Sequence, residues 1–305
     1  MDLKKLNALI AVVENNLNIS QAAEQLYLVQ SAVSQQISRL EEELGIELFN
    51  RKGKRLSGLT PVGEEIVAYA YRTLANANSI KEIAHDHINE YEGMLRLGAT
   101  HTQAQYILPP VIKEFSLEYP EIELQIHQGT PQQLVTKALH DEVDFAICTE
   151  ALSQSNDLVS MPSYNWNRSL ITLKDSPLLN TKVITLEKLS TYPIVTYVQG
   201  FTGREVFNET FREANLKPQI VLSAADTDVI KTYVRNGMGV GVIANMTYVA
   251  DKDNDLVLRD LSNLFPSETT KIAYKKDKFL RRHQQRFIDL FQSNVLKQDG
   301  LSPPS

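Results

Sequence analysis

Apolar residues recur at helical spacing from the start of the chain. Leu3, Leu6, Ile10, Val13 and Leu17 predict a first helix, with Asp2 placed to cap it. Ala22, Ala23 and Leu26 predict a short second helix, with Ser20 as its cap. A tight link over 27–30 leads to a third helix, from about Ser31 to Leu44. Val33, Ile37, Leu40 and Leu44 form its apolar stripe. Its other face presents Ser31, Ser34, Gln35, Ser38 and Arg39. Gly45 supplies a left-handed stop. Phe49 to Asn50 and Leu56 to Thr60 read as two short strands, with Arg51, Lys52, Gly53, Lys54 and Arg55 at the turn between them.

A longer pattern follows. No glycine interrupts the chain between Gly63 and Gly93, and Pro61 suits a first helical position after Thr60 as cap. Val62, Ile66, Tyr69, Ile80 and Ile83 lie close to one face. A helix of roughly 30 residues is ~45 Å long. One small domain cannot bury that length, so pairing with a second copy is expected. From Gly93 the period switches between strand and helix. Strands are expected at 94–99, 122–127, 143–148, 168–172, 194–197, 219–224, 240–243 and 271–274. Helices are expected at 107–115 (restarting near Pro109 and Pro110), 131–139, 185–189, 203–214, 226–236 and 279–295. Such alternation predicts mostly parallel sheets covered on both faces, with ligands off the carboxyl ends of the strands.

Two short helices joined by a tight turn make a helix-turn-helix, whose second helix puts its leading residues into the major groove. Ser, Gln and Arg side chains hydrogen-bond base edges. Double-stranded DNA is therefore the expected partner, read by Ser31, Ser34, Gln35, Ser38 and Arg39. Arg51, Lys52, Lys54 and Arg55 would neutralise phosphates from a wing. The overall charge changes this picture less than it first suggests. The 305 residues carry a formal −6, yet residues 1–60 hold seven Lys and Arg against seven Asp and Glu. The acidic excess belongs to the rest of the chain, and the head gathers its cations in one short run. The alternative is a three-helix bundle with a merely solvated polar stripe.

Strand ends select the candidate chemistry of the larger part. Thr100, His101, Thr102 and Gln103 follow the first strand and open a helix; Thr149 and Glu150 follow the third; Gly200, Phe201, Thr202 and Gly203 precede another helix. Hydroxyls, an amide and free helix N-terminal N–H groups bind an anion without a counter-charge. Each threonine alone is more simply a cap. Thr227 and Asp228 head a further helix, as ligand contacts or as caps. Trp166 and Tyr164 are core or pocket wall. Glycines at 237, 239 and 241 precede their strand, which excludes a dinucleotide loop. The one cysteine, Cys148, reads as a small core residue, and the six histidines show no metal-ligand spacing. Asp228, Glu150 and His101 could do acid–base work, but no nucleophile–base–orienter set accompanies them, so no enzyme and no cofactor is expected. No apolar run approaches the ~20 residues of a membrane span, and the first residues lack a signal-peptide pattern. A cytoplasmic protein with no membrane partner is the expectation.

The head carries a family resemblance in AAEQL at 22–26, QSAVSQQI at 30–37, LEEELG at 40–45, LFNR at 48–51 and LTPVG at 59–63. It resembles the DNA-binding domain of LysR-type transcriptional regulators. Val29 departs from the family's small polar residue there, and Ser31 is expected to cap the reading helix in its place. The larger part is similar to the sulfur-assimilation, cysteine-regulon branch of that family. The likeness runs through GATHTQA at 98–104, HQGTP at 127–131, DFAI at 144–147, TEAL at 149–152, WNRS at 166–169, GFTGR at 200–204 and DVIKTYVR at 228–235.

Together these cover nearly the whole chain. The resemblance implies an α/β protein with an all-α, winged head. Residues 1–59 would form a winged helix-turn-helix, 60–90 a linker and dimerisation helix, and 91–305 an effector domain of the periplasmic-binding-protein type. That domain would have two subdomains, about 91–163 with 267–295 and about 164–266. The resemblance further implies a homodimer or homotetramer that activates cysteine-biosynthesis promoters with RNA polymerase. Its effector would be acetylserine, with sulfate or thiosulfate able to occupy the cleft. Thr100, Thr102, Gln103, Thr149 and Thr202 would contact the effector, joined by Trp166. A solute-binding protein is the alternative for this half, and the attached head argues against it.

Overall fold

The computed structural model describes residues 1–304 except 54, 89–91 and 298–300. It divides into two compact units, residues 1–88 with 277–279, and the remainder. In the first unit, α1 (Leu3–Glu14) is capped by Asp2, whose Oδ1 accepts from the Lys5 amide at 3.0 Å. α2 (Ile19–Gln25) is capped by Asn18 rather than Ser20. Asn18 Oδ1 accepts from the Ser20 and Gln21 amides, so Ser20 already lies inside the first turn. α3 (Gln30–Leu44) likewise begins one residue earlier than expected. Val29 stands extended at its cap position with no side-chain cap, and Ser31 is a helical residue. Gly45 closes α3 in the left-handed region at φ 68°.

Leu6, Leu9, Val12, Ala22, Ala23, Val33, Ile37, Leu40, Leu48 and Phe49 form the head's core. Leu44, expected on the inner stripe, is exposed. β1 (Phe49–Lys52) and β2 (Arg55–Leu59) pair antiparallel as the wing. α4 (Pro61–Ile88) then runs for 28 residues, about 42 Å. Thr60 Oγ1 accepts from the Gly63 amide at 3.0 Å and starts it. Val62, Tyr69, Ile80 and Ile83 stand exposed along it.

The second unit holds two five-stranded sheets. In chain order its elements are β3 (Gly93–Ala99), a π-helical turn (Gln103–Ile107), α5 (Leu108–Glu118), β4 (Ile122–Gln128), α6 (Pro131–Leu139) and β5 (Phe145–Cys148). β6 (Leu158–Trp166), β7 (Arg168–Leu173), α7 (Leu186–Ser190), β8 (Pro193–Tyr197) and α8 (Arg204–Glu213) follow. Last come β9 (Gln219–Ala224), α9 (Thr227–Arg235), β10 (Val240–Ala244), β11 (Leu256–Asp260), β12 (Glu268–Lys275) and α10 (Arg282–Val295). The first sheet has the order β4-β3-β5-β12-β6, the second β11-β7-β10-β8-β9.

These sheets are mixed, not mostly parallel. β3 pairs parallel with β4 and β5, and β8 with β9 and β10, but β12 and β7 run antiparallel to both their neighbours. Two strands escape the apolar pattern, β6 and β11, and both are edge strands. An edge strand tolerates Pro162 and polar positions such as Ser160, because one side of its ladder needs no partner. The chain leaves the first sheet after Trp166 and returns to it at Glu268, so 164–166 belong to the first subdomain. At the crossing, the Asn245 amide donates to the Asn167 carbonyl at 2.8 Å. Leu95, Leu97, Phe115, Phe145, Phe287 and Phe291 build the first core. Leu170, Ile194, Phe207, Phe211, Val242 and Phe265 build the second.

Candidate DNA-reading face and effector cleft

On the head, Ser31, Gln35, Ser38 and Arg39 are exposed along one face of α3, and Ser34 is partly so. Val33, Ile37 and Leu40 turn the opposite stripe into the core. Arg51, Lys52 and Arg55 are exposed on the wing; Lys54 lies outside the described residues. Glu41 ties helix to wing. Its Oε1 accepts from the Leu48 and Phe49 amides at 2.9 and 3.3 Å, and its Oε2 meets Arg51 Nη2 at 2.6 Å. Arg51 is thus half of a local ion pair as well as a candidate phosphate contact. The pairing signal, ten residues apart in sequence, has no helical or strand period to reveal it.

In the second unit, five strand-end residues are buried: Thr100, Thr102, Gln103, Trp166 and Thr202. Thr149 is partly buried. Two sets of polar contacts hold three of these residues. Tyr164 OH donates to Gln103 Oε1. Trp166 Nε1 donates to Thr149 Oγ1 at 3.3 Å, and that hydroxyl lies 3.1 Å from Thr270 Oγ1. Thr100 and Thr102 stand at the entry to the π-helical turn that carries Gln103. Thr102 Oγ1 is fully buried with no hydrogen-bond partner among the described residues. A hydroxyl in that condition costs about 1–3 kcal/mol unless something pairs with it. Thr202 belongs to the second subdomain and has φ +40°, a left-handed conformation that a β-branched residue rarely takes. Such strain gathers at ligand clamps and switch regions.

Glu150, Gly203, Arg168 and Glu268 meet close to these residues. Glu150 Oε1 accepts from the Gly203 amide at 2.5 Å, just before α8. Buried Arg168 pairs with partly buried Glu268, and its Nη2 donates to the Gly203 carbonyl at 2.5 Å. The guanidinium also lies 5.5 Å from the Trp166 ring and 5.3 Å from that of Phe265. Gly203 has φ 69°, and a Cβ there would overlap Glu268 and Arg168. Burial pushes the Glu150 carboxyl up to about 7. The Glu268 charge adds to that, while the Gly203 N–H and the Arg168 charge oppose it. Glu150 and Gly203 are 53 positions apart, so only the fold brings them together. Burial likewise raises the Cys148 thiol well above its ordinary range; its Sγ donates to the Glu150 carbonyl at 3.1 Å.

The residues heading α9 do not act as simple caps throughout. Asp226 caps α9 through the Asp228 amide at 2.7 Å. Thr227 is buried against Tyr197 OH at 2.7 Å. Asp228 bridges the subdomains, accepting from Gln105 Nε2 at 2.5 Å and Tyr106 OH at 2.6 Å. His101 Nε2 stands 3.0 Å from Asp226 and 3.7 Å from Asp228. These three side chains could in principle gather a cation, as their ligand atoms lie within 4.8 Å of one another. However, Lys231 Nζ already stands 3.8 Å from Asp228, and Asp226 and Asp228 are engaged as described. The cluster reads as an ion-paired bridge between subdomains. No described helix is long and apolar enough to cross a membrane.

Comparison with known proteins follows the same division. Residues 3–64 match the bacterial regulatory helix-turn-helix protein model of the lysR family, and residues 89–295 match the LysR substrate binding domain. The chain is 43% identical to the HTH-type transcriptional regulator CysB of Haemophilus influenzae, over 97% of this chain and 92% of that protein. It is 41% identical to the HTH-type transcriptional regulator SsuR of Burkholderia cenocepacia, over 97% and 96%. The solved cofactor-binding domain of the Cbl transcriptional regulator superposes with a TM-score of 0.65 at 38% identity, covering 67% of this chain and 90% of that one.

Proposed function

The chain belongs to the LysR family of helix-turn-helix transcriptional regulators, and we propose that it controls sulfur-assimilation and cysteine-biosynthesis genes through a small anionic effector. The relatives CysB, SsuR and Cbl support the regulon. One observation carries the effector site: the buried Thr102 hydroxyl, without a partner among the described residues, in the same strand-end turn as Thr100 and Gln103. Acetylserine, sulfate and thiosulfate all offer oxygens for such donors.

In this reading, α3 enters the major groove with Ser31, Ser34, Gln35, Ser38 and Arg39. Arg51, Lys52, Lys54 and Arg55 hold phosphates from the wing. The exposed apolar residues of α4 pack against a second copy in a dimer, and dimers pair into a tetramer that engages RNA polymerase at activated promoters. An effector that touches Thr100, Thr102, Gln103 and Thr149 on one subdomain and Thr202 on the other favours the closed cleft. Closure follows only if the closed state binds it better. Trp166 forms the wall, bonded to Thr149.

The test is a mobility shift on a cysteine-biosynthesis promoter with and without N-acetylserine, sulfate and thiosulfate. Replacing Thr100 and Thr202 together by Ala should abolish the effector response and leave DNA binding intact. Normal induction in that double variant would overturn the site. Comparable identity to CysB, SsuR and Cbl supports a second reading, a paralogous regulator serving another sulfur source, which the same assay on a sulfonate-utilisation promoter separates.

A further inference from the structure

Glu150 holds an unusual place for a cleft that is read as an anion site. Its carboxylate sits on the Gly203 N–H, one of the donors at the start of α8. Helix N-termini are where an anionic ligand gains most, through free N–H groups and the helix dipole. Here the protein's own anion already occupies that donor. Left-handed backbone stands on both sides of the contact, at Ala151 (φ 70°) next to Glu150 and at Thr202 (φ 40°) next to Gly203. The contact is therefore held by a local fold that other conformations of these residues would relieve.

Charge makes the arrangement consequential. The charged and titratable groups recorded near Glu150 lie on β5, β7 and β12. Arg168 on β7 is paired with Glu268 on β12, so its charge is largely matched. Lys271 on β12 donates to Ser153 Oγ at 2.8 Å. Cys148 on β5 has its thiol on the Glu150 carbonyl and is held protonated by burial. Ionised Glu150 is then an unmatched negative charge inside the site. A divalent oxyanion entering beside it would meet repulsion that a medium of reduced dielectric screens poorly.

We propose that Glu150 is the cleft's own competing anion, which a small oxyanion displaces from the Gly203 N–H as Glu150 takes up a proton. Binding then joins the oxyanion and one proton, and Glu150 sets which effectors the cleft tolerates. A dianion such as sulfate needs the protonated carboxyl. A ligand bearing an N–H, such as an acylated amino acid, can instead donate to the carboxylate. The Glu150 carboxyl, raised to about 7 by burial, places the exchange in the physiological range. The inference rests on the effector site proposed above.

Inorganic sulfate is the probe, titrated into the full-length protein by calorimetry at pH 6 and at pH 8.5. Wild type should bind about 30-fold more weakly at pH 8.5, since affinity falls tenfold per pH unit once the carboxyl is ionised. In E150Q the two affinities should agree within about twofold, and at pH 8.5 the variant should bind at least about tenfold more tightly than wild type. A histidine-linked proton, from His101 for example, would leave its slope in E150Q and contradict the assignment. Should E150Q not fold, wild type alone decides: titrations at pH 7.5 in two buffers of different ionisation heat should show about half to one proton taken up per sulfate. Pairing with T102A separates the two readings. Equal sulfate binding by T102A and wild type, or none by either at both pH values, overturns the site itself. Loss in T102A, with pH-independent binding and no proton uptake in wild type, overturns the role of Glu150 alone.

Discussion

Arg168→Met gives the sharpest test of how the cleft is held together. Arg168 and Glu268 form an ion pair whose side chains are 4% and 10% exposed. Removing one partner of a buried pair leaves the other charge uncompensated, which costs about 3–5 kcal/mol. Met keeps most of the stem against Trp166 and Phe265, so little packing is lost in addition. The carbonyl of Gly203 also loses its guanidinium donor, a net effect of about 1 kcal/mol. The expected destabilisation of the effector unit is about 5 kcal/mol. Glu268→Gln should cost less, about 2 kcal/mol, because the amide oxygen still accepts from the guanidinium. The double variant should cost less than the two singles together by at least about 1.5 kcal/mol, since it leaves no lone buried charge. Urea unfolding followed by tryptophan emission suits this cycle. Trp166 is the chain's single tryptophan and lies in the effector unit, so melting of the head does not enter the signal. The substitution will change the emission intensity of its neighbour, but the transition midpoints carry the result. A cost below about 1 kcal/mol for Arg168→Met, or strict additivity in the double variant, would refute the reasoning.

Three further outcomes follow from other parts of the molecule. Thr202→Gly should raise effector-unit stability by about 1 kcal/mol, by releasing a β-branched residue from φ +40°, while weakening sulfate binding; a drop in stability in the same urea melts would show that no strain resides there. Replacing Lys52 and Arg55 with Gln should weaken binding to specific and random DNA alike and lower the salt slope by about 0.9 per contact. Arg51→Gln should lower it less, because Glu41 already pairs with Arg51; sequence-selective loss from wing variants would count against that role. Without ligand, the effector unit should lose stability between about pH 4.5 and about pH 7. The native Glu150 carboxyl holds its proton to higher pH than the unfolded one, so the native state binds more protons in that window. The loss is at most about 3 kcal/mol. E150Q should flatten it, and thermal melts across the window that match wild type would be evidence against the raised carboxyl.

The chain's local patterns were enough to place the head. A 3.6-residue apolar period, a left-handed Gly45 and a long uninterrupted helix after Pro61 each act within a few turns of backbone. Those forces are visible in sequence. Even there, Asn18 and not Ser20 caps α2, since either side chain suits a cap and only the path of the chain selects one. The effector half was legible as an alternation of elements, because buried central strands must be apolar. Its sheets were not, because pairing direction is a long-range choice that no single strand encodes. β6 and β11 stayed hidden for the related reason that edge strands carry polar residues and Pro at no cost to the ladder.

The threonines at the strand ends were legible because a strand's carboxyl end is a fixed place in this architecture, and Thr100, Thr102, Gln103 and Thr149 sit there by local order alone. Tertiary structure decided their surroundings. It set Glu150 on an amide 53 positions away, matched Arg168 with Glu268 across 100 positions, and left the Thr102 hydroxyl buried without a partner among the described residues. Sequence determined which donors stand at the strand ends, since backbone periodicity is local. The fold alone determined which charges oppose them there, since burial and Coulomb interactions depend on distance in space and not on distance along the chain.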